Sequence, residues 1–422
     1  MDVRSENYLI LLNCINSKPR QLIPVTEYPT VQELESVWPV DETEVLALDF
    51  ETKGVDIFDP EFQVLGLGVS YSTGSFYINL VNCTPELKQW LVDKLFKHRL
   101  LAFNVVFDGL ILQHFSGEYF WDNWLSCCYG LFKQLATEGY LNQSWSLEEA
   151  EHRLLGWPES NKDGLNTWLI ENGCINKSTK AADKSQMWKA PFEVISKYCA
   201  LDADACWQLY FLVFVPYLKR FPFLKIYHER YFINAIKLAV EQYMYGNAID
   251  TGKLISYNKE LLNNIKDFEL KLLTHPQVVE HIAEYNEFKV QEFTDTRKPK
   301  QQFKKDGTIS KNYINYINKI EELKKINHFN LNSDEQLRWL LYERLEMPIS
   351  VLTKSGKPAV SNKVLKGFGE VGQLLLDYNG LTKLQGYVQT VIDEVREGIV
   401  HVKIRPGSTL TGRASGGEGQ GE

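Results

Sequence analysis

Residues 45–51 read VLALDFE, an aliphatic run that closes on two acidic residues parted by one aromatic. Such a run suits a strand entering a core. Working outward from it, Gln63–Ser70 and Ser75–Leu80 carry two further strand patterns, parted by Ser72, Thr73 and Gly74, so residues 45–80 are expected to form a three-stranded meander. Pro85 suits the start of a helix running to about His98. Leu100–Phe103 is a short apolar strand, and Val105–Phe115 returns to helical spacing. Strands followed by alternating helices predict an α/β layered domain.

With 422 residues the chain is too long for one ordinary domain, and two or three are expected. An apolar fraction of 44% and a charged fraction of 24% are those of a soluble globular protein. Aromatic residues at 13% argue against disorder and leave rings for base stacking. The net charge of −8 makes no global case for nucleic acid, so such a role has to rest on local charge. The seven cysteines (Cys14, Cys83, Cys127, Cys128, Cys174, Cys199 and Cys206) form no C-x-x-C pair, so reduced thiols and no zinc site are expected. The early apolar run Tyr8–Leu12 is too short for a signal sequence, and no stretch reaches the roughly 18–20 apolar residues of a membrane span. A cytoplasmic protein with no membrane partner is expected.

Residues 117–191 are less periodic and include a polar, Lys-rich loop over 176–185. Pro191 then opens a long helix through Tyr198 and Asp202 to about Val215. Pro216 and Pro222 punctuate the chain there. The expected division is an N-terminal segment over 1–40, a first domain over 41–216 and a mainly helical region over 217–422. Within the last, Asp250 suits a cap for a helix over Leu254–Leu273, Asn332 or Ser333 one for a helix to about Leu345, and Val371–Val395 is helical. Between Arg297 and Lys325 lie nine basic residues against three acidic ones, a local excess of six positive charges.

Three spacings carry chemistry. In a strand the side-chain period is two, so Asp49 and Glu51 share a face, roughly 7 Å apart at the backbone. Burying two like charges is costly unless cations neutralise them, and hard divalent metals with oxygen ligands do this. Alone, the spacing also fits a solvated strand end. In LLAFNVVFDGLIL (100–112), Asn104 ends a strand and Asp108 falls in the first turn of the next helix, where simple dipole complementation fits as well. Tyr198 and Asp202, four apart in the long helix, share a face about 6 Å apart, while Asp204 points elsewhere. A core tyrosine with a satisfied hydroxyl fits that position too.

Taken in order, D-x-E, N-x-x-x-D and Y-x-x-x-D resemble the three exonuclease motifs of the DEDD superfamily in its tyrosine-bearing branch. The run YCALDADA (198–205) is similar to the third motif in the proofreading domain of bacterial DNA polymerase I and its phage relatives. The resemblance implies a ribonuclease-H-like 3′→5′ exonuclease in which Asp49, Glu51, Asp108 and Asp202 hold two Mg²⁺ or Mn²⁺ ions. Tyr198 would orient the attacking water, and Asn104 would contact the DNA strand.

Downstream, EQYMYGNAIDTGKL (241–254), FNLNSDEQLRWLLYERLEMPISVLTKSGKPAVSNKVL (329–365), DYNGLTKLQGYVQTVIDEV (377–395) and TLTGRASG (409–416) resemble ordered pieces of family A DNA polymerases. This implies a thumb whose basic stretch, with Lys298, Lys300, Lys304 and Lys305, tracks the duplex backbone. Lys383, Thr411 and Arg413 would approach the primer end, followed by a partial palm. Solvated surface charges and a turn at Gly412 account for the same residues without DNA. Asp377 and Tyr378 precede the Thr-Gly-Arg motif, whereas the family's palm aspartates follow it. The residues after Arg413 include no Asp, Lys or Tyr, so this chain alone is not expected to polymerise.

The function implied is the proofreading and DNA-binding portion of a replicative, phage-type family A polymerase. Its partners would be a primer–template duplex, a single-stranded 3′ end, a C-terminal polymerase fragment and a processivity or replisome factor. The alternatives are a stand-alone exonuclease of the DEDD type with a helical appendage, and a non-catalytic DNA-binding assembly subunit.

Overall fold

In the computed structural model of the protein, which describes residues 14–135, 145–157, 162–176, 184–305, 307–409 and 412–416, the VLALDFE stretch lies in the middle strand of a five-stranded sheet. The strands are β1 (Val45–Lys53), β2 (Gln63–Tyr71), β3 (Gly74–Asn79), β4 (Arg99–Ala102) and β5 (Trp124–Cys127), in the order β3-β2-β1-β4-β5. The first three form the expected antiparallel meander, and β4 and β5 continue the sheet in parallel on the other side of β1. The sequence reading missed β5. Its four residues, WLSC, are too few to show alternation.

Alternation along β1 sorts its side chains between two cores. Leu46, Leu48 and Phe50 join Leu67, Val69 and Ile78 on one face. Helices α1 (Val31–Val37), α2 (Pro85–Leu95) and α3 (Val105–Ser116) supply Leu34, Leu91 and Ile111 to that core. Ala47 belongs to the opposite core, with Cys128 from α4 (Cys128–Leu135) and Ala205 and Cys206 from α5 (Phe192–Gln208). Pro191 stands at the N-cap of α5, as expected, and α5 lies across β1, β2 and β3. The helical run Phe192–Arg220 has the length and apolarity of a membrane span, contrary to the sequence reading. Its most apolar window is 72% buried inside the protein, as befits a helix covering a sheet.

Packing separates two compact units, one comprising 1–247 with 401–422 and the other 248–400. The expected boundaries at 40/41 and 216/217 do not coincide with breaks in packing. Residues before 41 are tied into the first unit, Ile23 bonding to Ser75 and Leu34 lying in its core. Helix α6 (Ile233–Tyr245) also belongs there, since Ile236, Val240 and Tyr243 are part of the sheet's core and α6 packs on α3. The chain returns to this unit after residue 400 with the short hairpin β6 (Ile404–Arg405) and β7 (Ser415–Gly416).

The second unit is helical, with α7 (Thr251–Leu273), α8 (Val279–Arg297), α9 (Lys311–Leu323) and α10 (Gly369–Glu394). Its core gathers Leu272, Ile282, Phe329, Leu341, Leu365 and Leu375. Helices α7 and α10 pack along one another. Buried Asn258 links them, donating to Gln389 at 2.9 Å and accepting from Gln385 at 3.3 Å. Asp250 caps α7 by accepting from Lys253 N, and Ser333 caps the short helix Asp334–Arg338 by accepting from Gln336 N.

Candidate active site

The two acids of β1 lie opposite glycines. Asp49 pairs with Gly68 and Glu51 with Gly66 on β2, so no side chain of β2 stands across from either carboxylate. The glycines also let two other groups approach. A Cβ at Gly68 would lie 2.5 Å from the carbonyl oxygen of Cys199, so α5 sits against β2 at a distance only glycine permits. A Cβ at Gly66 would lie 2.0 Å from the Tyr77 hydroxyl. This close approach brings Tyr198, Cys199 and Asp202 of α5 over the β1 acids. Ligand atoms of Asp49, Glu51 and Cys199 all lie within 4.8 Å of one another.

Tyr198 is buried, its ring packed with Leu165, Leu169 and Met187 and its hydroxyl bonded to Asp202. Burial pushes the phenol's pKa up, and the charges of Asp202, Glu51 and Asp49 push it further, so the hydroxyl stays protonated at neutral pH. It can orient a polar group but cannot act as a base there. Cys199 is likewise held as a neutral thiol, first by burial and then by Asp49 and Glu51. Its Sγ donates to the Asp49 carbonyl at 3.2 Å, which pins the strand end to the helix.

Asp108 does more than complement a helix dipole. Its Oδ1 accepts from the backbone N–H of Phe50 at 3.0 Å, between the two β1 acids. That donor is available because β4 pairs with β1 only as far as Leu48, and among the described residues no strand continues the sheet on that side beyond it. Asp108, Glu51 and Asp202 are all buried, and Asp49 is half-buried. Burying several like charges together is the situation that bound divalent cations relieve. Asn104, at the N-cap position of α3, is exposed and makes no side-chain cap bond.

Asp204 faces away from this cluster. Its fully buried carboxylate receives the Arg20 Nε at 2.6 Å, the Arg20 backbone N–H at 2.8 Å and the Gln208 amide at 2.9 Å. Arg20 also donates to Ser70 on β2 and stacks on Trp207, so this ion pair braces α5 against the sheet. Sequence reading overlooked Gly66, Gly68, Cys199 and Arg20. Only the glycines left a signal, two of them at period two inside an apolar strand.

The expected DNA contacts fall in both units. In the second, Lys298 ends α8, and Lys300, Lys304 and Lys305 lie on an exposed turn before α9, closed by the bridge between Phe303 and Ile309. Among the described residues none of these four forms an ion pair, whereas Lys319 and Lys324 of the same basic stretch are engaged by Glu322 and Glu321. Lys383 is exposed on α10, 5.7 Å from the Tyr387 ring. Thr411 lies outside the described residues. Arg413, in the first unit, is exposed, and its N–H donates to Thr409 Oγ1 at 2.8 Å.

Residues 300–418 match the model of DNA polymerase family A. The thermostable DNA polymerase I of Thermus aquaticus is 36% identical over 94 residues, covering 21% of this chain and 11% of that protein. DNA polymerase I of Lactococcus lactis subsp. cremoris is 32% identical over 91 residues, 21% of this chain and 10% of that protein. The matched part thus spans about a tenth of the curated relatives' length. Among solved structures, the POL domain of Pol1 from M. smegmatis in complex with DNA primer-template and dNTP aligns with a TM-score of 0.56. That alignment covers 94% of this chain and 54% of that one at 16% identity, a likeness of fold. By sequence, residues 300–418 of this chain are similar to a segment of family A DNA polymerases.

Proposed function

We propose that this chain is the 3′→5′ proofreading exonuclease and DNA-binding portion of a replicative, phage-type family A DNA polymerase. The observation that carries the reading is the meeting of Asp49 and Glu51 with Tyr198 and Asp202 across the Gly66–Gly68 gap, with Asp108 bonded between the two β1 acids. A sheet of three antiparallel strands continued by two parallel ones supports a ribonuclease-H-like first unit.

Asp49, Glu51, Asp108 and Asp202 are the carboxylates that would hold two Mg²⁺ or Mn²⁺ ions, whose chemistry when bound is to activate water and neutralise charge at the scissile phosphate. The remaining tasks belong to the chain's own side chains. Tyr198, neutral and fixed by Asp202, orients the attacking water toward the terminal phosphodiester of a single-stranded 3′ end. Asn104 is exposed beside the cluster and available to the bound strand. Lys298, Lys300, Lys304 and Lys305 supply phosphate contacts to duplex DNA, and Lys383, Thr411 and Arg413 contacts near the primer end. The chain is placed in the cytoplasm, working with a processivity factor.

The test is degradation of a 5′-labelled single-stranded oligonucleotide in Mg²⁺ or Mn²⁺. The protein should shorten it from the 3′ end. Asp49→Ala combined with Glu51→Ala should lower the rate by about 10³-fold or more while the unfolding midpoint is retained. Undiminished degradation by the purified double variant refutes the site.

A further inference from the structure

Lys133 of α4 takes no part in the chemistry above, yet it is built into the first unit with unusual care. Its Nζ donates to two successive carbonyl oxygens, Gly407 at 3.0 Å and Ser408 at 2.6 Å. The ammonium is half-buried, 5.2 Å from the ring centre of Tyr129 and 5.7 Å from that of Trp145. Among the described residues no carboxylate forms an ion pair with it. Among the described residues the charge is held by carbonyl dipoles and aromatic faces.

What Lys133 grips is the approach to Arg413. Gly407 has φ +66 and sits under Phe232, where a Cβ would lie 2.8 Å from the ring, so the chain is turned there and cannot slide. Ser408 Oγ meets Ser415 Oγ at 2.6 Å across the β6–β7 hairpin. The next residue, Thr409, receives the Arg413 N–H on its Oγ1 at 2.8 Å and donates from its own N to the Arg413 carbonyl at 3.2 Å. A connected path of short bonds therefore runs from the Lys133 ammonium through the 407–408 carbonyls to the backbone of Arg413.

We propose that Lys133 is a positioning residue for duplex DNA. It fixes Gly407 and Ser408 in the unit that carries the carboxylate cluster, and through Thr409 the backbone of Arg413, so that Arg413 meets the duplex already ordered. The inference rests on the reading of Arg413 as a DNA contact. Ordering the turn beforehand removes that cost from binding, so loosening it should appear as lost affinity.

The experiment is fluorescence anisotropy of a labelled primer–template hairpin titrated with the full chain, using Lys133→Met, Arg413→Ala and the double variant. Each single change should weaken binding by about three- to tenfold. The double variant should bind no more weakly than Arg413→Ala alone, since both act on the same interaction with DNA. Hydrogen exchange at backbone amides 404–409 should be faster in Lys133→Met, and unchanged protection there overturns the proposal. If Arg413→Ala weakens binding while Lys133→Met does not, or if the two losses add, the proposal fails and the reading of Arg413 stands. If Arg413→Ala has no effect, both fall. Should Lys133→Met not fold, Lys133→Gln, which keeps a donor for one carbonyl, is measured against the same outcomes.

Discussion

Gly68→Ala tests whether the close seat of α5 on β2 builds the active site. The added Cβ would lie 2.5 Å from the Cys199 carbonyl oxygen, 2.9 Å from its carbon and 3.0 Å from its sulfur, and backbone atoms cannot swing aside. Restoring an ordinary separation of 3.4 Å requires the helix to withdraw by about 0.9 Å at least. Tyr198 and Asp202 would move with it, away from Asp49 and Glu51. Overpacking of this kind costs about 1–3 kcal/mol of stability, and a displacement near 1 Å in a positioned catalytic group costs about 10²-fold in rate. The assay pairs 3′-end degradation of a labelled single strand with thermal unfolding. Gly117→Ala is the control. It sits at φ +77 at the end of α3 with nothing within 4 Å of its would-be Cβ, so it should cost about 1 kcal/mol through backbone strain and leave the rate unchanged. A Gly68→Ala protein that degrades the strand within about threefold of the parent rate would refute the reasoning.

Replacing Lys298, Lys300, Lys304 and Lys305 together by Ala should weaken duplex binding and make its salt dependence shallower, by about 0.9 in logarithmic slope for each phosphate no longer neutralised. An unchanged slope, measured by anisotropy across a salt series, would return these lysines to ordinary solvated charge. His228 offers a test by pH. It is fully buried, accepts from the Cys127 N–H on Nε2 at 3.2 Å, and is pushed down to about 3 by burial from its ordinary 6.5. The unfolded chain therefore binds one more proton between those values. Stability should be flat above pH 6.5 and fall as pH drops from 6.5 toward 3, by up to about 1.4 kcal/mol per pH unit. In His228→Gln, urea unfolding across this window should show a slope reduced by up to one proton, and an identical slope would show that His228 is not its source.

Much of the first unit could be read from local pattern. VLALDFE marked the central strand, Ser72 to Gly74 the meander turn and Pro191 the start of the covering helix. The caps at Asp250 and Ser333 followed from residue type. The domain division did not follow in the same way. Pro216 and Pro222 punctuate the chain, but Ile236 and Val240 beyond them are buried in the sheet's core, and proline reports a local bend rather than where packing ends. The basic stretch was visible as composition. That Lys319 and Lys324 are engaged by glutamates, while among the described residues Lys298, Lys300, Lys304 and Lys305 form no ion pair, could be seen only in the folded chain.

The faces shared by Asp49 with Glu51, and by Tyr198 with Asp202, are consequences of strand and helix periods, and the amino-acid order alone was enough to state them. The depth of the site was not available in that way. Gly68 opposite Asp49, Cys199 bonded to the Asp49 carbonyl, Asp108 on the Phe50 N–H, Arg20 on Asp204 and Lys133 on Gly407 all join residues far apart in the chain. Such pairings exist only once the sheet has its register and the helices their seats. A period says which side chains point the same way along one element, whereas which element lies opposite, and how closely, is set by packing over the whole unit.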